Sequence, residues 1–325
     1  MSVFQDLPEP ALWEHASALA EPADLDAFWA RTLAESRAHD APPALVPEPT
    51  PLTTLDVWDV TFPGFGGDPV RAWYRRPAGV EGPLPVVVQY VGYGGGRGAP
   101  TENLLWASAG FAHLQMDTRG QGSGWSRGDT PDPWGTGPQA PGVMTRGIED
   151  PGTYYYRRLL TDAVRAVDAA RALPGVDPDR VAVVGGSQGA AMAIAAGALA
   201  DVAAVVADVP FLCDVARAVG ITDSKPYAEV VEYLAVHRGA EERVLRTLSY
   251  VDGVGLARRG RAPARFSVAL MDVVVPPSTV VAAHRAWGGP KELRVWRYNG
   301  HESGGPEQDR EAVAFVAREL GAAPH

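Results

Sequence analysis

Cysteine is almost absent from this chain. Cys213 stands alone among 325 residues, so no intrachain disulfide can form and nothing calls for an oxidising compartment. Basic runs are missing as well. The formal net charge is −10, and without a Lys/Arg cluster to neutralise phosphates the chain reads against a nucleic-acid partner. No stretch reaches the roughly 18 consecutive apolar residues of a membrane span, so no membrane association is expected. The opening MSVFQDLPEPALWEHASAL carries early acids and prolines where a secretory leader has a basic segment and an apolar core. Internal repeats and low-complexity tracts are also lacking. These absences leave the expectation of a soluble, cytoplasmic protein that handles neutral small molecules.

What is present has the rhythm of a doubly wound α/β fold. Short apolar runs at Pro85–Val91, Phe111–Asp117, Val181–Val184, Ala203–Val209, Ala264–Met271 and Glu292–Tyr298 predict strands buried on both faces. Helical patterns at Tyr154–Leu173, Gln188–Leu199, Ser278–Trp287 and Gln308–Leu320 alternate with them. Ahead of these, residues 55–76 alternate apolar and polar around a Gly-rich turn, which predicts a β-hairpin that opens the sheet. A single domain over 1–325 is expected, with an N-terminal helical extension over 1–50. In that extension Leu12, Trp13, Leu19, Leu25, Phe28, Trp29 and Leu33 predict helix over 8–38, with Asp24 as a mid-way cap, and APPALVPEPTP reads as a spacer. Two segments interrupt the rhythm. Residues 119–152 form a long loop rich in Gly, Pro, Asp and Trp, and residues 211–262 form an insertion with helical patches at Ala228–Arg238 and Glu241–Tyr250, placed to cover an active site.

The strongest chemical signal is Gly185-Gly186-Ser187-Gln188-Gly189, which sits between the strand VAVV and the helix AAMAIAAGALA. This is the G-x-S-x-G turn in its required setting of strand, sharp turn and helix. The small residues two before and two after the serine avoid collision in the turn. Ser187 then projects its hydroxyl at the carboxyl end of the sheet, where a helix N-terminus favours developing negative charge. A plain Gly-Ser turn is the alternative that this setting disfavours.

A serine nucleophile needs a base and an acid, in the chain order Ser, Asp or Glu, His. Past Ser187, His237 falls in the insertion, His284 on a helix and His325 at the C-terminus, whereas His301 follows the last predicted strand. His301 is therefore the candidate base. Asp272 ends the preceding strand before a Pro-Pro turn and is the candidate acid; Asp208, one strand earlier, is a weaker alternative. The tetrahedral intermediate needs two aimed donors. The amide after the nucleophile, from Gln188, supplies one. Tyr93, between glycines in the loop VGYGGGRG, supplies the other. That loop lacks the Gly-Lys-Ser/Thr ending of a phosphate-binding loop.

With Arg119-Gly120-Gln121-Gly122 and His301-Glu302 added to the serine motif, the sequence resembles carbohydrate esterase family 7, the acetyl xylan esterases and cephalosporin-C deacetylases. Further familial segments are Met116–Trp125, Thr153–Arg158, Asp208–Cys213 and Arg246–Tyr250, so the likeness spans nearly the whole chain. The resemblance implies the α/β-hydrolase fold and removal of O-acetyl groups from short xylo-oligosaccharides and cephalosporin C. It implies a cytoplasmic enzyme with no metal or other cofactor, assembled as a homo-hexamer, a trimer of dimers. It supports Ser187, Asp272 and His301 as triad and the Tyr93 and Gln188 amides as oxyanion hole. Arg119 and Gln121 are then expected to brace the site loops, and Pro226 with Tyr227 to border the acyl pocket or an interface. Trp106, Trp125 and Trp134 are candidates for a sugar platform or for core. The chain departs from the family where Val274-Val275-Pro276-Pro277 replaces Ile-Cys-Pro-Pro and where Ser303 interrupts the glycines after His-Glu.

Other classes fit less well. A general short-chain carboxylesterase shares every residue named above. A peptidase of the prolyl-oligopeptidase type carries a propeller that roughly 80 residues ahead of the core cannot build. A non-catalytic binder has no need of all three triad residues, and a dehalogenase or epoxide hydrolase carries Asp as nucleophile.

Overall fold

The computed structural model describes residues 6–135 and 137–322; the first five residues, Thr136 in the long loop and residues 323–325, His325 among them, lie outside the described part. One nine-stranded sheet organises the chain. Its strands are β1 (Ala44–Pro47), β2 (Leu55–Pro63), β3 (Pro69–Pro77), β4 (Leu84–Tyr90), β5 (Ala112–Met116), β6 (Val176–Gly186), β7 (Ala204–Asp208), β8 (Ala264–Ala269) and β9 (Lys291–Trp296). Their spatial order is β1-β2-β3-β5-β4-β6-β7-β8-β9. The predicted hairpin is β2–β3, in antiparallel register from Leu55↔Pro77 to Pro63↔Pro69. From β5 to β9 every pairing is parallel, so the carboxyl ends of these strands gather along one rim. The crossover at β5-β4-β6 puts a topological switch beside β6, where open α/β sheets form their ligand crevice.

The helices are α1 (Glu9–Glu14), α2 (Leu25–Arg37), α3 (Leu105–Ser108), α4 (Tyr155–Arg171), α5 (Gln188–Leu199), α6 (Val215–Ile221), α7 (Tyr227–Val236), α8 (Glu241–Ser249), α9 (Gly253–Ala257), α10 (Pro277–Ala286) and α11 (Gly305–Glu319). Strand periodicity assigns each side chain to a layer. Val86, Val88 and Tyr90 of β4 join the larger core with α4, α5 and α10. Val87 of β4, with Val184 of β6 and Val206 of β7, faces Trp106 of α3 and Ala312, Phe315 and Val316 of α11. The N-terminal extension and the insertion add to the larger core through Leu12, Trp29, Val230 and Leu248. No helix among the described residues is long and apolar enough to cross a membrane.

Three expectations need correcting. The single helix over 8–38 is two helices with non-helical chain between Glu14 and Leu25, because Pro22 and the polar residues around it break the pattern. Asp24 sits at the start of α2 without capping it; its carboxylate accepts from the Tyr250 hydroxyl at 2.6 Å. The proline-rich spacer contains the edge strand β1, paired with β2 from Ala44↔Thr61 to Pro47↔Trp58. An edge position tolerates proline because one side of the strand donates to no neighbour.

Candidate active site

β6 ends at Gly186 and α5 begins at Gln188, so Ser187 alone makes the turn. It does so at φ 56° and ψ −118°, a left-handed conformation that a side chain rarely adopts. Tight packing holds it there. A Cβ on Gly185 would lie 2.3 Å from the backbone of Gly189, and one on Gly189 would lie 2.4 Å from the Tyr90 carbonyl oxygen. Gly186 differs: a Cβ there meets nothing within 4 Å, so its smallness is not what makes room for the serine. The Ser187 amide donates to the Asp208 carbonyl at 2.8 Å, tying the elbow to the neighbouring strand.

The two other predicted residues converge on this serine from distant parts of the sequence. His301 Nε2 lies 3.0 Å from Ser187 Oγ, and His301 Nδ1 lies 2.9 Å from Asp272 Oδ2. The Asp272 carboxylate is fully buried, and its Oδ1 accepts from the amides of Val274 and Val275 at 2.8 and 3.0 Å. The Val-Val-Pro-Pro departure therefore supplies backbone donors to the acid, a role indifferent to which side chains stand there. His237 stacks on Tyr233, and His284 packs against Phe266, where burial pushes its imidazole down to about 4. Neither approaches Ser187.

Tyr93 and Gln188 flank the nucleophile, and their backbone amides find no acceptor among the described residues. Two amides without acceptors beside a serine hydroxyl are the kind of donor that a developing oxyanion needs. Gln121 holds the two arms together. Its Oε1 accepts from the Gly94 amide at 2.6 Å, and its Nε2 donates to Gln188 Oε1 at 2.9 Å and to the Tyr155 hydroxyl at 2.8 Å. Arg119 lies one layer further back, fully buried among Asp162, Asp68 and Asp132. Burial works against its charge, but the Asp162 carboxylate more than offsets this and keeps the guanidinium ionised. Both residues of the RGQG motif therefore support the loops without touching the cavity.

Glu229 had no sequence signal. It is buried on α7 of the insertion and accepts the Tyr93 hydroxyl at 2.8 and 3.0 Å, while the same hydroxyl accepts from the Val143 amide at 2.8 Å. The insertion thus anchors the loop that carries one open amide. Burial raises the Glu229 carboxyl above the ordinary range, and burial also keeps the Tyr93 phenol protonated.

A cavity of about 660 Å³ opens at Ser187 and His301. Val209, Pro226 and Val274 line part of it, as does Trp125. Trp125 is 66% exposed and donates its indole N–H to the Tyr93 carbonyl at 2.8 Å. Trp106 is 5% exposed and belongs to the core as much as to the cavity wall. Trp134 is no part of the site: it packs edge-on against Phe65 and donates to Asp68. Tyr227 is likewise removed from the cavity, buried against Phe211. Among the described residues no group of three or more His, Cys, Asp or Glu is placed to hold a metal.

A mostly parallel sheet with a strained serine at the elbow after β6, and with an acid and a histidine past the ends of later strands, defines an α/β-hydrolase. Similarity to known proteins narrows the class. The sequence matches the acetyl xylan esterase (AXE1) family over residues 1–319, and the chain belongs to that family of ester hydrolases. The acetyl xylan esterase of Paenibacillus sp. R4 superposes with a TM-score of 0.91 at 38% identity, covering 96% of this chain and 99% of that one. Acetyl xylan esterase 1 of Thermoanaerobacterium sp. JW/SL YS485 superposes with a TM-score of 0.88 at 32% identity, covering 97% and 99%. Acetyl esterase Axe7A of Xylanibacter ruminicola is 28% identical over 285 residues, which are 86% of this chain; the match spans 63% of that longer protein.

Proposed function

We propose that this chain is a serine deacetylase that removes O-acetyl groups from small acetylated sugars, xylo-oligosaccharides above all, and from cephalosporin C. The observation that carries the reading is the unbroken relay Asp272–His301–Ser187, at 2.9 and 3.0 Å, beside two open amides. In the proposed mechanism Ser187 Oγ attacks the acetyl carbonyl carbon while its proton passes to His301 Nε2. Asp272 fixes the imidazole tautomer and stabilises the imidazolium. The carbonyl oxygen takes up negative charge facing the Tyr93 and Gln188 amides. Collapse breaks the bond to the sugar oxygen, which leaves with the proton from His301. Water, deprotonated by His301, then attacks the acetyl-serine; acetate departs and Oγ recovers its proton. No step requires a metal or other cofactor.

The acetyl specificity and the xylan-derived substrates are supported by the family's description and the relatives' names; cephalosporin C, a cytoplasmic location and a hexamer built as a trimer of dimers are carried by the sequence resemblance alone. Acetate release from acetylated xylose and cephalosporin C, set against aryl esters of increasing acyl length, tests the substrate reading. The expected result is a steep fall in kcat/KM beyond acetyl. Equal activity on butyryl and longer esters favours the general carboxylesterase. Light scattering tests the assembly, and a monomer at micromolar concentration contradicts the hexamer.

A further inference from the structure

The cavity does not stop at the triad. It continues down the face of the sheet between α3 and α11, and its floor is one row of residues in register across four strands. Gln115 of β5 pairs with Gln89 of β4, Gln89 with Val184 of β6, and Val184 with Val206 of β7. All four line the cavity. One row nearer the rim, Gly186 pairs with Asp208, and Asp208 with Ser267. The floor therefore lies two residues, about 7 Å of strand, below Gly186, the residue before the nucleophile.

Its chemistry is out of place for a buried parallel sheet, whose faces are ordinarily apolar. Gln115 is 1% exposed. Its Oε1 accepts from Arg75 Nη1 at 2.9 Å, but its amide nitrogen has no acceptor among the described residues. Gln89 repeats the pattern, its Oε1 accepting from His113 Nε2 at 2.9 Å and its nitrogen left over. Asp208 supplies the complement. Its Oδ1 accepts from Ser267 Oγ at 2.9 Å and from Gln308 Nε2 at 2.7 Å, and Oδ2 has no partner among the described residues. Gln115 is buried and Gln89 and Asp208 are half-buried, so these three open atoms face the cavity, where a ligand or water can meet them.

We propose that this lower chamber is a binding subsite for a neutral, hydroxyl-rich group, the pyranosyl part of an acetylated sugar, with Gln115 and Gln89 as donors and Asp208 as acceptor. The proposal rests on the esterase reading for the position of the ester, but the chamber's occupant follows from its own groups. Asp208, with Asp309 also on the cavity wall, disfavours an anionic ligand. The unpaired amides and acid disfavour a bare alkyl chain, since covering them with hydrocarbon costs roughly 1–3 kcal/mol each. Val184, Val206 and Ala312 offer the apolar patch that a sugar ring's C–H face requires.

Two measurements test it in the intact chain at pH 8.5, where Asp208 is ionised and can only accept. Calorimetry with methyl β-xyloside reads the chamber alone, and acetate release from an acetylated methyl xyloside and from ethyl acetate reads the chemistry. Gln115→Glu keeps a partner for Arg75 while removing the donor, and Asp208→Asn keeps the shape while reversing the hydrogen bond. Each variant is expected to weaken xyloside binding about tenfold, and to lower the kcat/KM ratio of acetylated xyloside to ethyl acetate about tenfold through KM. A wild type that binds no xyloside at tens of millimolar overturns the proposal. So does a fall of equal size on both esters, an unchanged ratio in both variants, or a selective loss on long-acyl esters. Failure of the esterase reading is distinct: it is an inert wild type that still binds the xyloside.

Discussion

At the scale of single residues, the groups given a direct role in the proposed mechanism are those whose place in the chain announces them. Ser187, Asp272 and His301 each follow a strand of the parallel sheet, and strand ends share one rim, so chain order alone brought them together. Glu229 lies beyond such reading, and Asp208, at the end of β7, reads from its position as a rival acid and not as a cavity group. Glu229 meets Tyr93 only because the insertion folds over a loop 136 residues earlier in the chain. If Glu229 fixes the open amide of Tyr93 through the phenol, Glu229→Ala lowers kcat about tenfold with KM little changed, while Glu229→Gln, which keeps an acceptor, retains most activity. Steady-state kinetics on one acetyl ester distinguishes the two variants. Asp208 carries a prediction of a different kind. Burial pushes its carboxyl up to about 7, against about 3.9 in an unfolded chain. Between those values the folded protein holds a proton that the unfolded chain releases, so stability falls as pH rises from about 4 to 7. Asp208→Asn lacks that loss. Its Tm relative to wild type is expected to improve from pH 5 to pH 8, and a constant difference contradicts the assignment.

At the scale of elements, the strands from β4 to β8 and the helix after the elbow were legible because each is a continuous apolar or Ala-rich run bounded by turn residues. β6 is longer than its apolar core, since Val176–Arg180 extend it with polar residues. α3, α6 and α9 were not legible; at four, seven and five residues they span two turns at most, too short for an amphipathic pattern to show. β1 escaped because prolines mask a strand that is stabilised by pairing on one side. The elbow gives the sharpest prediction here. Gly185→Ala and Gly189→Ala drive a Cβ into rigid backbone, at 2.3 and 2.4 Å. Both are expected to abolish soluble expression or activity. Gly186→Ala meets nothing within 4 Å and is expected to fold with a Tm within a few degrees of wild type. Thermal melts and soluble yield separate the three.

At the scale of the whole molecule, the turn between β2 and β3, the long loop and α4 are tied together by buried charge. Arg119 reaches Asp162 of α4, Asp68 before β3 and Asp132 in the loop, and Arg158 of α4 reaches Asp132 as well, at 2.7 Å. Removing one partner of such a network strands the remaining charges out of water. Arg119→Met is therefore expected to cost about 3–5 kcal/mol in urea unfolding. A cost under 1 kcal/mol contradicts a bracing role. In the proposed mechanism this framework serves a single event, the transfer of an acetyl group to Ser187, and that event can be trapped. Acid quench during turnover of an aryl acetate, followed by peptide mass spectrometry, is expected to find one acetyl group on the peptide bearing Ser187. In Ser187→Ala the label is absent and turnover falls by a factor of roughly 10⁴ or more. An acetyl group on another residue, or undiminished turnover in Ser187→Ala, contradicts the proposed mechanism.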